Sequence, residues 1–167
     1  MAALSIAAPQ TLSLELRAAV ADLYAEYGDV LDSGELDAWP ELFTDPCLYL
    51  VQPRENHDAG LPLATTRCES RGMLKDRAYA VRKTQMYVPR YLRHVISLPR
   101  IMAVTAERIA ARANYAVFET VLDEPTRILN VGRSLDLIVE DGGRLRFRER
   151  ICVFDSVLVP TSLIYPV

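Results

Sequence analysis

The chain has 167 residues, half of them hydrophobic and a quarter charged, with a net charge of −3. That length buries a core without disulfide or metal staples, and the composition is too apolar for a disordered protein. No run of about 18 apolar residues occurs, which excludes a membrane-spanning helix.

Residues 1–10 are small, apolar and uncharged, and a flexible N-terminal stretch is expected there, followed by one domain over 11–167. The opening lacks the basic region of a signal peptide, so a cytoplasmic location is expected. Between 13 and 31 the apolar residues Leu16, Val20, Leu23, Tyr27 and Val30 or Leu31 recur at helical spacing. Asp32, Ser33 and Gly34 end that helix, Gly34 supplying the left-handed position. A short helix over 37–43 follows, with Pro40 tolerated in the first turn and Trp39, Leu42 and Phe43 pointing inward. Residues 47–51 read as a strand, 52–71 as a loop, and 73–87 as a third helix closed by Pro89.

After Tyr91 the period changes to two. Strands are expected over 93–104, interrupted near Pro99, and over 108–122, 126–139 and 144–155, the last two joined by a hairpin at Gly142-Gly143. Helices first and long strands afterwards indicate α+β architecture, with a four-stranded sheet curling around the N-terminal helices.

Charge is unevenly spread. Residues 1–60 hold 11 acidic and 2 basic side chains, net −9, whereas 61–167 hold 11 acidic and 17 basic, net +6. Acidic helices packed on a basic sheet, or subunits meeting through opposite charges, both account for this. All basic residues but Lys75 and Lys83 are arginine, which suits bidentate pairing. Alternation of Arg144, Arg146, Arg148 and Arg150 places four guanidinium groups on one strand face, with Leu145, Phe147 and Ile151 opposite. Pairing with Asp or Glu suits them better than nucleic acid, since the chain is net acidic and has no aromatic RNA-binding motif.

Chemistry is sparse. A mononuclear iron centre takes two histidines and a carboxylate, and only His57 and His94 are present. Cys47, Cys68 and Cys152 lack metal-ligand spacing and read as idle thiols. No phosphate-binding glycine loop or nucleophile elbow occurs. No catalytic, cofactor-binding or metal residues are therefore assigned. The rival is a pocket enzyme, a dehydratase or isomerase, for which His94, Asp32, Tyr24, Tyr49 and Tyr115 are acid–base residue types. Each also has an ordinary structural use: tyrosines as amphipathic core residues, Asp32 as a helix-end residue, His94 held by a carboxylate or backbone partner.

The order Trp39-Pro40-Glu41-Leu42-Phe43-Thr44, Cys47, Tyr49, Asn56-His57-Asp58, Gly60-Leu61, Met73-Leu74, Asp76-Arg77, Ala80, Arg82, Arg93-His94 and Leu98-Pro99 resembles the small (beta) subunit of bacterial aromatic-ring-hydroxylating dioxygenases. Arg148-Glu149-Arg150, Asp155-Ser156 and Tyr165-Pro166-Val167 extend the likeness. It is nearest the types acting on aromatic acids such as terephthalate, salicylate and anthranilate.

The resemblance implies a cystatin-like (NTF2-like) cone and an assembly of three large (alpha) and three small subunits. It implies a 2Fe-2S cluster, a non-haem Fe(II) and the substrate pocket on the large subunit, with NAD(P)H acting through a separate reductase. The apolar stretch 157–167 should be packed against the sheet or a partner. Trp39, Tyr87, Tyr91, Arg93, Arg144, Arg146, Arg148 and Arg150 are the candidate contacts with the large subunit, since aromatic residues and arginine are enriched at interface centres.

Overall fold

The computed structural model describes residues 12–84, 88–156 and 163–167. The expected flexible stretch 1–10 and the candidate contact Tyr87 lie outside them. Helix α1 spans Leu14–Ser33, opened by the Ser13 hydroxyl, which accepts from the Leu16 amide at 3.1 Å, and closed by Gly34 at φ 78°. Its buried stripe is Val20, Leu23, Tyr24, Tyr27 and Leu31. Asp32 and Ser33 continue the helix, where the sequence suggested an end.

A 3-10 turn at Trp39–Leu42 replaces the expected helix over 37–43, with Trp39, Leu42 and Phe43 all buried. Strand β1 spans Phe43–Pro53, longer than 47–51 because an irregularity between Phe43 and Leu48 lets both ends pair with the same neighbour. The expected loop over 52–71 contains helix α2, Arg54–Asp58, and strand β2, Thr66–Cys68. α2 buries none of its five residues and β2 has only three, so neither carries a periodic apolar signal. Helix α3, Arg71–Tyr79, is capped by Ser70 and continues as a π-helical stretch at Ala80–Thr84. It buries Leu74 and Ala78, and Val81 follows on the same side.

Strands β3 (Arg90–Ile96), β4 (Arg100–Val104), β5 (Ile109–Val121), β6 (Arg127–Asp141) and β7 (Arg144–Phe154) complete a seven-stranded sheet. The order is β2-β1-β7-β6-β5-β3, with β4 also on β5. β1 runs parallel to β7 and the other pairs are antiparallel. The β6–β7 hairpin turns at Gly142 and Gly143, φ 61° and 79°, values that a side chain would make costly. Three of the four strands foreseen are long strands, β5, β6 and β7; the fourth, expected over 93–104, is split into β3 and β4, which both pair with β5, and β1 and β2 bring the expected four-stranded sheet to seven strands.

Helix α1 touches β7 through Tyr24 and Phe147, and β3 through Asp32 and His94, although two strands separate these. The sheet therefore curls around α1, which makes the concave side the core. Tyr24, Tyr27, Trp39, Phe43, Tyr49 and Phe147 meet there edge to face, with centroids 5.1–6.5 Å apart. Such pairs add about 0.5–1.5 kcal/mol each beyond burial.

A bulge corrects the arginine stripe. Ile138 pairs with Phe147 and Leu137 with Glu149, so Arg148 is an extra residue on β7. An extra residue reverses the alternation beyond it. Phe147 and Arg150 consequently both face the core, and the four arginines do not share a face. Arg144 pairs with Glu26 of α1 at 2.8 Å, Arg146 with Asp141 at 2.7 Å, and Arg148 donates to the Pro46 carbonyl at 2.8 Å.

Much of the charge asymmetry is also met within the chain. Glu26, Asp37, Glu41 and Asp58 pair with Arg144, Arg82, Arg71 and Arg133. These pairs are solvent-exposed and contribute about 0–1 kcal/mol each.

Candidate functional site

Of the residue types suited to acid–base work, two are brought together. Asp32 lies in the last turn of α1 and His94 on the inner side of β3. His94 Nδ1 is 2.7 Å from Asp32 Oδ1, and the His94 amide donates to both carboxylate oxygens at 3.0 Å. A carboxylate holding an imidazole is a proton-transfer arrangement. Here the imidazole is 1 % exposed and its Nε2 is buried without a hydrogen-bond partner. Gly28 of α1 faces this pair, and a Cβ added there would meet His94 Cβ at an ordinary contact distance of 3.8 Å. The pair pins the end of α1 to β3, which is the structural use the sequence allowed.

The tyrosines are committed to the interior. β6 turns Asn130, Ser134 and Asp136 inward, so the core wall of this strand is polar. Tyr24 donates its hydroxyl to Asp136 Oδ2, Ser134 donates to the same oxygen at 2.6 Å, and Arg150 NH1 approaches it at 3.3 Å. The Arg150 guanidinium lies 4.0 Å from the Tyr27 ring centre and 4.7 Å from that of Phe147. Burial pushes the Tyr24 phenol well above its ordinary range, with the adjacent Asp136 adding to the effect. Burial also works against charge on Arg150, but Asp136 and the surrounding phenols outweigh it and the guanidinium stays ionised. Tyr115 donates to Asn130 Oδ1 at 2.8 Å. Tyr27 and Tyr49 donate to the Val167 backbone oxygen at 2.7 and 3.2 Å.

Sequence reasoning missed Asp136 and Glu119. Glu119 of β5 is fully buried between Arg90 of β3 and Arg127 of β6, the latter at 2.7 Å. Asp136 sits between Leu135 and Leu137, and ordinary alternation would put the leucines inside. A polar row of Asn130, Ser134 and Asp136 at period two was the available signal.

The chain's own residues do not fit an oxygenase iron. His57 is on α2, His94 is enclosed between α1 and β3, and among the described residues no three His, Cys, Asp or Glu side chains form a metal-holding group. A surface cleft of about 460 Å³ lies between Asp37, Pro40, Glu41, Lys75, Asp76 and Tyr79. Its carboxylate Glu41 is held below its usual range by Lys75, 3.1 Å away, with Arg71 adding to the pull. Glu41 with Lys75 and Arg71, and Asp37 with Arg82, make this a largely salt-bridged surface.

The candidate contacts divide. Trp39 and Arg150 are 0 % and 1 % exposed and are core residues, which corrects their reading as contacts. Arg144, Arg146 and Arg148 are partly exposed and already bonded within the chain. Tyr91 and Arg93 stand on the outer side of β3, Tyr91 at 75 % exposure and with Val95 beside them at 58 %.

Residues 12–151 match the SnoaL-like domain family. The terephthalate 1,2-dioxygenase terminal oxygenase subunit beta 2 of a Comamonas species is 33 % identical over 147 residues, covering 88 % of this chain and 96 % of that one. The anthranilate 1,2-dioxygenase small subunit of Burkholderia cepacia is 32 % identical over 137 residues, covering 82 % and 85 %. A crystal structure from Novosphingobium aromaticivorans, assigned as the beta subunit of an aromatic-ring-hydroxylating dioxygenase, superposes with a TM-score of 0.84. It shows 40 % identity over 92 % of this chain and 97 % of that one. With an α+β sheet curled on its helices and its acid–base side chains spent on internal bonds, the chain belongs to the small (beta) subunits of the aromatic-ring-hydroxylating dioxygenases, on a SnoaL-like, NTF2-like fold.

Proposed function

We propose that this chain is the assembly subunit of a Rieske non-haem iron oxygenase that hydroxylates an aromatic ring, with an aromatic carboxylic acid as the substrate. The 2Fe-2S cluster, the Fe(II) and the substrate pocket are on a partner large (alpha) subunit, and electrons come from NAD(P)H through a separate reductase. Three large and three small subunits form the complex in the bacterial cytoplasm. The named substrates of the anthranilate and terephthalate relatives support the substrate class.

The observation that carries this reading is the reversed polarity of β6. Asn130, Ser134 and Asp136 face the core, and Val131, Leu135, Leu137 and Val139 face outward. Val131 aligns across the sheet with Ala116 and so with Val95, and Leu135 aligns with Ile151. Tyr91, Val95 and Ile128 extend this face with 55–75 % exposure. These apolar side chains, interspersed with Arg133, Arg112 and Glu149 on the same outer face, make a mixed apolar and charged surface that suits a contact in a complex. We assign it, with Arg93, to the large subunit.

Co-expression with a large subunit of this dioxygenase family, followed by native mass measurement, tests the proposal. A complex of three copies of each chain is expected. A large subunit that assembles and turns over with this chain left unbound contradicts it. A stand-alone dehydratase or isomerase is the second reading, favoured only by the Asp32–His94 pair, and it requires turnover by the isolated chain.

A further inference from the structure

The outer face of the sheet changes character at Arg112, away from the Tyr91–Ile128 end assigned to the large subunit. Register sets Arg100 of β4 directly opposite Arg112 of β5, and both are exposed. Like charges in that position repel, yet among the described residues neither guanidinium has an ion pair or hydrogen bond, and the same holds for the side chain of Arg108. Glu107 neighbours Arg108 in the turn without pairing, and Glu149 stands two strands away from β5, opposite Leu137. The residues outside the described ones carry no acidic side chain, so the chain has no other counter-ion to offer. Exposed Leu98 and Met102 lie in the same corner. Helix α1 carries the complement. Glu15, Asp22 and Asp29 recur every seven residues, all exposed, on the side of the helix opposite its buried stripe and likewise without ion pairs. The exposed Ala18 and Ala25 between them leave the helix surface open to close approach.

We infer that the acidic stripe of α1 docks on the Arg100–Arg112 corner of a second copy of this chain, head to tail. Asp22 and Asp29 are about 10.5 Å apart along the helix, and Arg112 and Arg108 are about 14 Å apart along the strand direction, a mismatch that arginine's long side chain spans. The two surfaces look in opposite directions: α1 lies on the concave side with its stripe turned away from the sheet, and the arginines project from the outer face. A contact between them is therefore heterologous, and such contacts close into rings when the rotation permits. Closure at three copies rests on the assembly proposed above, whereas the pairing of the surfaces rests on the charges. It also gives the leftover charge asymmetry a use, since arginine forms bidentate pairs with carboxylates.

Sedimentation of the full chain at low ionic strength tests this. Reversible self-association is expected, weakened about tenfold or more by Arg100→Glu with Arg112→Glu, and by a like factor by Asp22→Arg with Asp29→Arg. All four changes in one chain should restore it to within about threefold of the native value, because the charges are then exchanged across the contact. Added salt should weaken the native association. A chain that stays monomeric at about 100 µM overturns the inference. So does association that neither reversal moves, or a fourfold variant as weak as the double ones. Should a reversed chain fail to fold, Arg112→Gln and Asp22→Asn are judged by the weakening alone. Native mass measurement with a large subunit is read separately: self-association without large-subunit binding keeps this inference and sinks the oxygenase reading, and the converse does the reverse.

Discussion

The guanidinium of Arg150 lies over the ring of Tyr27, 4.0 Å from its centre, on the sealed concave side of the sheet. The same group approaches Asp136 at 3.3 Å, and both side chains are buried. A buried ion pair gains little over well-packed hydrophobic residues, but either charge left alone is costly.

Asp136→Asn therefore destabilises the chain by about 3–5 kcal/mol, because Arg150 keeps its charge without a counter-ion. The double replacement Arg150→Met with Asp136→Leu should recover most of that loss. Urea unfolding of both variants measures it. A single-variant cost under about 1 kcal/mol would show that the pair is solvated in practice.

Alkaline pH should unfold the protein through its buried acids. Burial raises the Cys152 thiol from 9.0 to about 12, and the phenols of Tyr24, Tyr27, Tyr49 and Tyr115 are also raised by burial. These groups hold their protons more tightly folded than unfolded. Their contribution is complete below the ordinary values of 9 to 10 and is lost as pH climbs toward the folded ones. Each group removes up to about 1.4 kcal/mol per pH unit in that window. Absorbance titration should show these four of the eight tyrosines ionising only with loss of native circular dichroism. Smooth ionisation of all eight in the folded state would contradict the burial.

His94→Ala should cost about 2–3 kcal/mol of stability, since Asp32 loses a buried hydrogen-bonded partner. Turnover per assembled oxygenase complex should stay within twofold of normal. A hundredfold fall in turnover with assembly intact would give His94 a chemical role and revive the pocket-enzyme reading.

Replacing Ile128 by Ser together with Tyr91 by Ala should leave the isolated chain within about 0.5 kcal/mol of its stability, as exposed surface changes do. Affinity for the large subunit should fall at least tenfold, or about 1.4 kcal/mol. Analytical ultracentrifugation of mixed subunits reads this directly. Unchanged assembly would move the contact surface elsewhere.

The sequence exposed the parts of the fold that rest on period and punctuation. Leu16 to Leu31 announced α1, and Gly142-Gly143 the hairpin. It concealed what depends on one residue of register. The extra Arg148 turns Arg150 from an outer charge into a core one, and the one local sign of the bulge is Glu149, which breaks the apolar row of Leu145, Phe147 and Ile151. β6 misleads for a related reason: its apolar row follows the rule for a core face yet points outward. Asp32 with His94 was legible as residue types, but their 2.7 Å contact joins elements 62 residues apart. The scarcity of imidazole ligands was readable by counting, because the whole chain has two histidines, His57 and His94.

The most direct test of the division of labour is iron and acid-labile sulfide analysis on three preparations: this chain alone, the large subunit alone and the complex, each assayed for turnover with benzoate-type acids and a reductase. The account predicts metal and sulfide only where the large subunit is present, with full turnover in the complex. Iron bound, or an aromatic acid converted, by this chain alone would contradict it.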